Sequence, residues 1–235
     1  MKRHVTRITR QFSPKRALKR RNDRRIIQMF GDEFGLVYFG HVSSQTDEYR
    51  MVRGLTLSTK HHDLHYCIGT HEEYDVVFVE RSDQLLHPTK RVKQSHRWHI
   101  MEIDLKTTAD RPHVFVGLHT HSESFYMQLF TKYPELRALH LGNLGPHQPD
   151  FLAKYRVYGS PAQILDIERL LSPVITDMIT KHFGALAIEI HESSLFVYSE
   201  QTHLSRPLLE GMLKNGVWLA RHIDTVSSGS QQMLD

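Results

Sequence analysis

The chain has 235 residues, a length that fits one compact body or two small ones, and its 40% hydrophobic and 24% charged content excludes collagen-like and wholly disordered chains. The net charge of +4 is unevenly spread: residues 1–25 carry eleven Lys or Arg against the single acid Asp23, leaving 19 basic and 25 acidic residues beyond. No apolar run approaches the roughly 20 residues of a membrane span, and one cysteine, Cys67, excludes an intrachain disulfide and a multi-thiolate zinc site.

The basic segment comes first. Ser13-Pro14 reads as an N-cap followed by proline in the first turn, and no breaker follows until Gly31, so a helix is expected. Its apolar residues gather near the C-terminal end (Ile26, Ile27, Met29, Phe30), which leaves the first half as a solvated, charged arm over residues 1–30. A secretory signal lacks support because no apolar core follows the basic start, and the sparse serine content counts against a mitochondrial presequence.

From Gly35 to Ser122 the residues turn β-rich, with short Val, Ile, Tyr, Phe and Thr runs between polar clusters. Strands are expected near 35–43, 50–58, 64–71, 75–82, 96–106 and 112–121. Residues 70–73 read as a hairpin link and 84–95 as a longer basic loop. Ser122 caps a helix through about Tyr133. The stretch 134–149, with Gly142, Gly145, Pro146 and Pro149, is the expected boundary between a β-rich unit (31–145) and a smaller α+β unit (146–226).

The second unit opens with a strand over 151–158. Pro161 begins a helix to Leu171, and Ser172-Pro173 restarts it as far as Phe183-Gly184. Residues 185–190 and 194–199 form a hairpin. The closing helix, 205–223, places Leu209, Leu213, Gly216, Ala220 and Ile223 on one stripe, and 227–235 reads as a flexible tail. The expected fold class is α+β: an antiparallel sheet unit with one packed helix, then a β-α-α-β-β-α unit, preceded by a basic helical arm.

The order of this last third resembles uncharacterised bacterial domain families of unknown function. The residues that carry the resemblance are the helix break Leu171-Ser172-Pro173-Val174, the strands Ala187-Ile188-Glu189-Ile190 and Leu195-Phe196-Val197-Tyr198, and the closing amphipathic helix. The resemblance implies an α+β domain in a bacterial protein, and with it the cytoplasm or the inner face of a membrane. It assigns no catalytic residue.

Three groups of residues could carry function. Lys15, Arg16, Lys19, Arg20, Arg21, Arg24 and Arg25 suit a phosphate-rich partner, either an anionic lipid surface or nucleic acid, because both attract clustered cations through the same screened force. His113, His119 and His121 share one face of the strand expected at 112–121, and with a loop histidine such as His61, His62 or His65 they could hold zinc or another divalent metal. Glu102, Asp104 and Lys106, with Asp75 or Asp83, have the residue types of a Mg²⁺-dependent nuclease. No G-x-S-x-G, P-loop or G-x-G-x-x-G motif occurs, and Cys67 sits in an apolar strand as a core residue would. These observations favour a non-enzymatic binding or scaffolding module held by its arm at an anionic surface, with no cofactor expected. Nucleic-acid binding is the alternative and a His-ligated metalloenzyme the second.

Overall fold

A computed structural model describes residues 14–40, 62–86, 93–107 and 111–231. The strand expected at 50–58, His61, the first part of the arm and residues 232–235 lie outside the described residues.

Helix α1 (Pro14–Phe34) starts at the proline as expected. Ile27 and Phe30 are fully buried, and the face that carries them lies on the sheet because Gly31 permits close contact. A Cβ there would stand 2.8 Å from the Leu36 carbonyl oxygen. Gly35, at φ +74°, takes the left-handed turn that ends the helix and starts strand β1 (Leu36–Gly40). The hairpin strands β2 (His62–His71), β3 (Tyr74–Leu86) and β4 (Lys93–Asp104) follow. Leu86 pairs with Lys93, so both ends of the expected basic loop, 84–86 and 93–95, are arms of a long hairpin.

Strand β5 (Val114–Leu118) stops earlier than expected, and residues 119–121 form a turn into α2 (Glu123–Leu129), whose cap is Ser122. The expected boundary loop contains a short strand, β6 (Arg137–Leu139). Where the sequence pattern suggests a strand from 151, the chain makes α3 (Pro149–Lys154), with Pro149 in its first turn, and strand β7 (Tyr155–Gly159) begins only afterwards. Then come α4 (Ile164–Leu170), α5 (Pro173–His182), the hairpin β8 (Ala187–His191) and β9 (Ser194–Ser199), and α6 (Arg206–Gln231). Helix α6 runs into the segment expected to be a tail: a helix already docked along its length extends through Ser227-Ser228-Gly229-Ser230 at the cost of weak propensity alone.

The nine strands among the described residues join one antiparallel sheet in the order β1-β2-β3-β4-β9-β8-β5-β7-β6. The two expected units share a sheet and interleave in it: β4 pairs with β9, with Met101 opposite Val197, while β5 and β6 of the first range pair with β8 and β7 of the second. One sheet face carries Val76, Phe78, Met101, Ile103, Val116, Ile188 and Val197 and is covered by α1, α4, α5 and α6. The stripe predicted for α6 packs here, with Leu209, Leu213, Ala220 and Ile223 fully buried. The other face carries a second core of Trp98, Ile100, Phe115, Tyr158, Phe196 and Tyr198 under α2. No helix among the described residues is long and apolar enough to cross a membrane.

Two polar anchors hold the helical layer. Asp224 of α6 accepts hydrogen bonds from Tyr74 Oη (3.0 Å), Thr107 Oγ1 (2.9 Å) and the Lys106 and Thr107 backbone amides (both 3.1 Å). Burial would raise the Glu168 carboxyl, but donors from the 142–144 loop outweigh it and hold the group below its ordinary range. Those donors are the amides of Gly142 (2.7 Å), Asn143 (2.9 Å) and Leu144 (2.6 Å) and the Asn143 side chain (2.8 Å).

Histidine burial gives the fold a pH dependence. Desolvation pushes His65, His96, His147, His191 and His222 below the usual imidazole range and takes His99 down to about 4. Around His99, the charges of Arg97, Lys19 and His65 reinforce burial. Glu80 stands 3.9 Å away and is itself paired with Arg97 at 3.3 Å. The unfolded chain therefore binds more protons than the folded one below pH ~6.5, and stability falls as pH drops through that point. An imidazole held neutral at pH 5.5 costs about 1 kcal/mol. Asp23, whose carboxyl burial raises, works in the opposite direction as a single group. The urea midpoint is expected to be clearly lower at pH 5.5 than at pH 7.5.

Candidate functional site: an arginine face and its groove

Helix α1 divides into two faces. Asp23, Ile27, Phe30 and Gly31 point into the body, spaced three and four apart, while Arg20, Arg24, Arg21 and Arg25 are exposed along the adjoining side of the helix. Of the other expected basic residues, Lys19 is half-buried and its ammonium donates to the Thr202 carbonyl, tying the helix to the loop before α6. The side chains of Lys15 and Arg16 lie outside the described residues. An ion pair from Arg206 to Glu33 (2.6 Å) secures the far end of α1.

Beside the arginines is a groove of about 650 Å³. Arg20, Arg21, Arg24 and Gln28 form one wall, Tyr38, Phe39 and Gly40 of β1 the other, and Leu64 and His65 of β2 the remainder. Two irregularities shape it. Pairing between β1 and β2 shifts between Tyr38 and Gly40, and a bulge in β2 places His65 at φ 60°. His65 Nδ1 then lies 2.8 Å from Tyr38 Oη, and the Arg24 guanidinium sits 5.8 Å from the centre of the Tyr38 ring.

The electrostatics leave the arginine charge available. Burial lowers His65; the Asp23 carboxylate opposes this, and Arg24, Arg97 and Arg20 reinforce it, so its ring is neutral at pH 7. Exposed apolar groups flank the charges: Leu18 is 66% exposed, Met29 49%, Val37 58% and Phe39 41%. A surface that offers guanidinium groups between exposed apolar side chains can take an anionic headgroup and the hydrocarbon beneath it at once.

The predicted metal residues do not come together. Because β5 ends at Leu118, His119 and His121 leave the strand face that His113 occupies. His121 Nε2 donates to Glu200 Oε1 at 2.7 Å and its ring stacks on Phe125 at 4.1 Å, while His119 is exposed in the turn. His113 instead meets two residues of β8: its Nε2 is 2.8 Å from Glu189 Oε1, and its ring lies 4.0 Å from that of His191. Tyr133 sets its edge against both imidazoles, and Tyr198 Oη donates to Glu189 Oε2. Among the described residues, His113, Glu189 and His191 are the one group of three whose ligand atoms converge for a metal. The signal that sequence reasoning passed over is Ala-Ile-Glu-Ile-His at 187–191, where two residues of ligand type share one face of an otherwise apolar strand.

The nuclease-type residues are also dispersed. Glu102 and Asp104 both accept from Ser194 Oγ (3.0 and 3.4 Å), but Lys106 lies past the end of β4 and pairs with Glu73 at 2.7 Å. Asp75 is exposed and bonded to Thr70. Cys67 is fully buried in the core, as expected, and burial pushes its thiol up to about 12.

No protein-family model and no curated protein matches the chain. Among solved structures, the crystal structure of the mycobacterial trehalose monomycolate transport factor A is similar, with a TM-score of 0.56 at 13% sequence identity over 88% of this chain and 94% of that one. At that identity the likeness is one of fold: this chain shares the strand and helix arrangement of the mycobacterial factor, and no residue role passes between them.

Proposed function

We propose that this protein is a non-enzymatic binding or scaffolding module that docks on an anionic membrane surface through the arginine face of α1. The observation that carries the proposal is a groove lined by Arg20, Arg21, Arg24 and the exposed Phe39, on a helix that also exposes Arg25, Leu18 and Met29. Guanidinium groups supply attraction to phosphate headgroups, and the apolar side chains gain by entering the interface. Nucleic acid would satisfy the charges and leave the apolar groups without a role, which favours lipid. The inner leaflet of a bacterial membrane has the required charge.

Co-sedimentation of the full chain with phosphatidylserine–phosphatidylcholine vesicles tests this, with pure phosphatidylcholine vesicles and duplex DNA as parallel arms. Binding to the anionic vesicles, weakening with salt and absent on neutral ones, is the expected result. The double variant Leu18→Ser/Phe39→Ser is expected to bind vesicles less well while leaving any DNA binding unchanged. Tighter binding to duplex than to vesicles at equal salt would transfer the arm to nucleic acid, and equal binding to neutral and anionic vesicles would remove the arginines from the account.

A further inference from the structure

In the half of the sheet away from the arginine groove, two imidazoles and a carboxylate converge where β5 and β8 run side by side. We infer that His113, Glu189 and His191 form a binding site for a divalent transition metal of the zinc class.

The backbone places the three groups. Phe115 of β5 pairs with Glu189 of β8 and Val114 with Ile190, so His113, just before β5, lies beside His191 at the end of β8. Residues two apart on a strand share a face, which puts Glu189 under both rings. The ligand atoms lie within 4.8 Å of one another. A tetrahedral ion with bonds of about 2.0–2.1 Å needs them roughly 3.3 Å apart. Rotation of the two rings closes that gap. His113 precedes its strand and His191 ends one, and both are partly exposed, so the rings have room to turn.

Chemistry distinguishes this group from an ordinary His–Glu pair. Glu189 is fully buried, and a buried carboxylate is stable only when positive charge or donors meet it. His113 meets one oxygen and the Tyr198 hydroxyl donates to the other. His191 adds a second imidazole that the pair does not require. Among the described residues its ring nitrogens have no hydrogen-bond partner, and its recorded contacts are with the rings of His113 and Tyr133. Two neutral imidazole nitrogens and one carboxylate oxygen make a borderline donor set that suits Zn²⁺ and disfavours Mg²⁺ and Ca²⁺. Tyr198, 1% exposed, then serves as the outer partner that orients the carboxylate. The His113 side chain is 11% exposed, so the fourth position opens to solvent, as in sites that keep a water on the metal.

The test uses the full chain, stripped with a chelator and titrated with ZnCl₂ against a chromophoric competitor, then with CoCl₂ for its visible spectrum. Expected are one high-affinity zinc per chain, intense tetrahedral Co²⁺ bands, and no displacement by excess Mg²⁺. His191→Ala, at a strand end, is expected to abolish stoichiometric binding. Glu189→Gln keeps the size of the side chain and is expected to do the same if it folds. Tyr198→Phe should weaken affinity by about 10–100-fold while keeping the bands. His121→Ala is the control for adventitious histidine binding and should change nothing. Failure of the stripped chain to take up zinc, or His191→Ala binding as tightly as the unaltered protein, overturns the site. Neither result bears on vesicle binding.

Discussion

Replacing Arg20, Arg21, Arg24 and Arg25 together by glutamine is expected to weaken binding to anionic vesicles by about a thousandfold. Each cation near such a surface contributes about 1 kcal/mol, and four of them sum to about 4 kcal/mol, or three factors of ten in affinity. All four side chains are exposed, so little of their charge is already spent inside the protein. The fold should tolerate the change. Glutamine has nearly the helix propensity of arginine, and the internal contact at stake is the stacking of Arg24 over Tyr38. Vesicle titration alongside thermal unfolding checks both halves: affinity should collapse while the melting temperature moves by a few degrees at most. The loss should shrink as salt rises, because screening removes from the unaltered protein what the substitutions remove from the variant.

Arg81→Leu is expected to cost about 3–5 kcal/mol of stability, the usual penalty for removing one partner of a buried ion pair. Arg81 is fully buried on β3, with Nε 2.8 Å from Asp63 Oδ1 and Nη2 2.7 Å from Oδ2, a two-point contact between neighbouring strands. Tyr66 Oη donates to the same carboxylate at 3.2 Å. Burial would lower the guanidinium, but the Asp63 carboxylate outweighs it and raises it, so the pair stays ionised. Leucine leaves Asp63 facing Tyr66 with its main counter-charge gone. For a chain of this length the loss corresponds to about 10 °C in melting temperature. The double variant Arg81→Leu/Asp63→Leu should recover much of it, since replacing both charges by apolar groups removes the desolvation cost along with the attraction. A double variant as unstable as the single one would show that Arg81 acts through other contacts.

Local chemistry explains which features were legible in the residues. Alternation and turn clusters reveal strands wherever one face is wet, and proline in a first turn marks the starts of α1 and α5. The α+β class follows from those signals. Helix α3 escaped because Phe151, Tyr155 and Val157 read as one strand pattern, whereas Pro149 restarts the chain as a helix that yields only at Tyr155. Strand β6 is three residues long and draws its place from pairing with β7, which no local pattern encodes. The solvation of Arg20, Arg21, Arg24 and Arg25 follows from the scarcity of apolar residues in the first half of α1. The groove could not be read this way, since it depends on a bulge at His65 and on Phe39, which lie 26 residues apart in the sequence and are brought together by the β1–β2 pairing. His113 can be picked out from its strand pattern, yet its neighbours Glu189 and His191 lie more than seventy residues onward, and the strand length expected beyond Leu118 groups it instead with His119 and His121, which the turn carries away. Within a sheet, ligands are chosen by strand order, which is a property of the whole chain.

Where the membrane lies against the molecule is the central question, and a fluorophore answers it directly. Cys67 is buried and its thiol is raised to about 12, so a single surface cysteine can be labelled selectively. Leu18→Cys places an environment-sensitive dye beside the arginine face. Val174→Cys, at a residue 70% exposed on α5, places it toward the other end of the sheet. With phosphatidylserine vesicles the dye at position 18 should shift to the blue and brighten, salt should reverse the change, and the dye at 174 should not respond. An unchanged spectrum at 18 while the protein sediments with the vesicles, or an equal shift at 174, would contradict docking through α1.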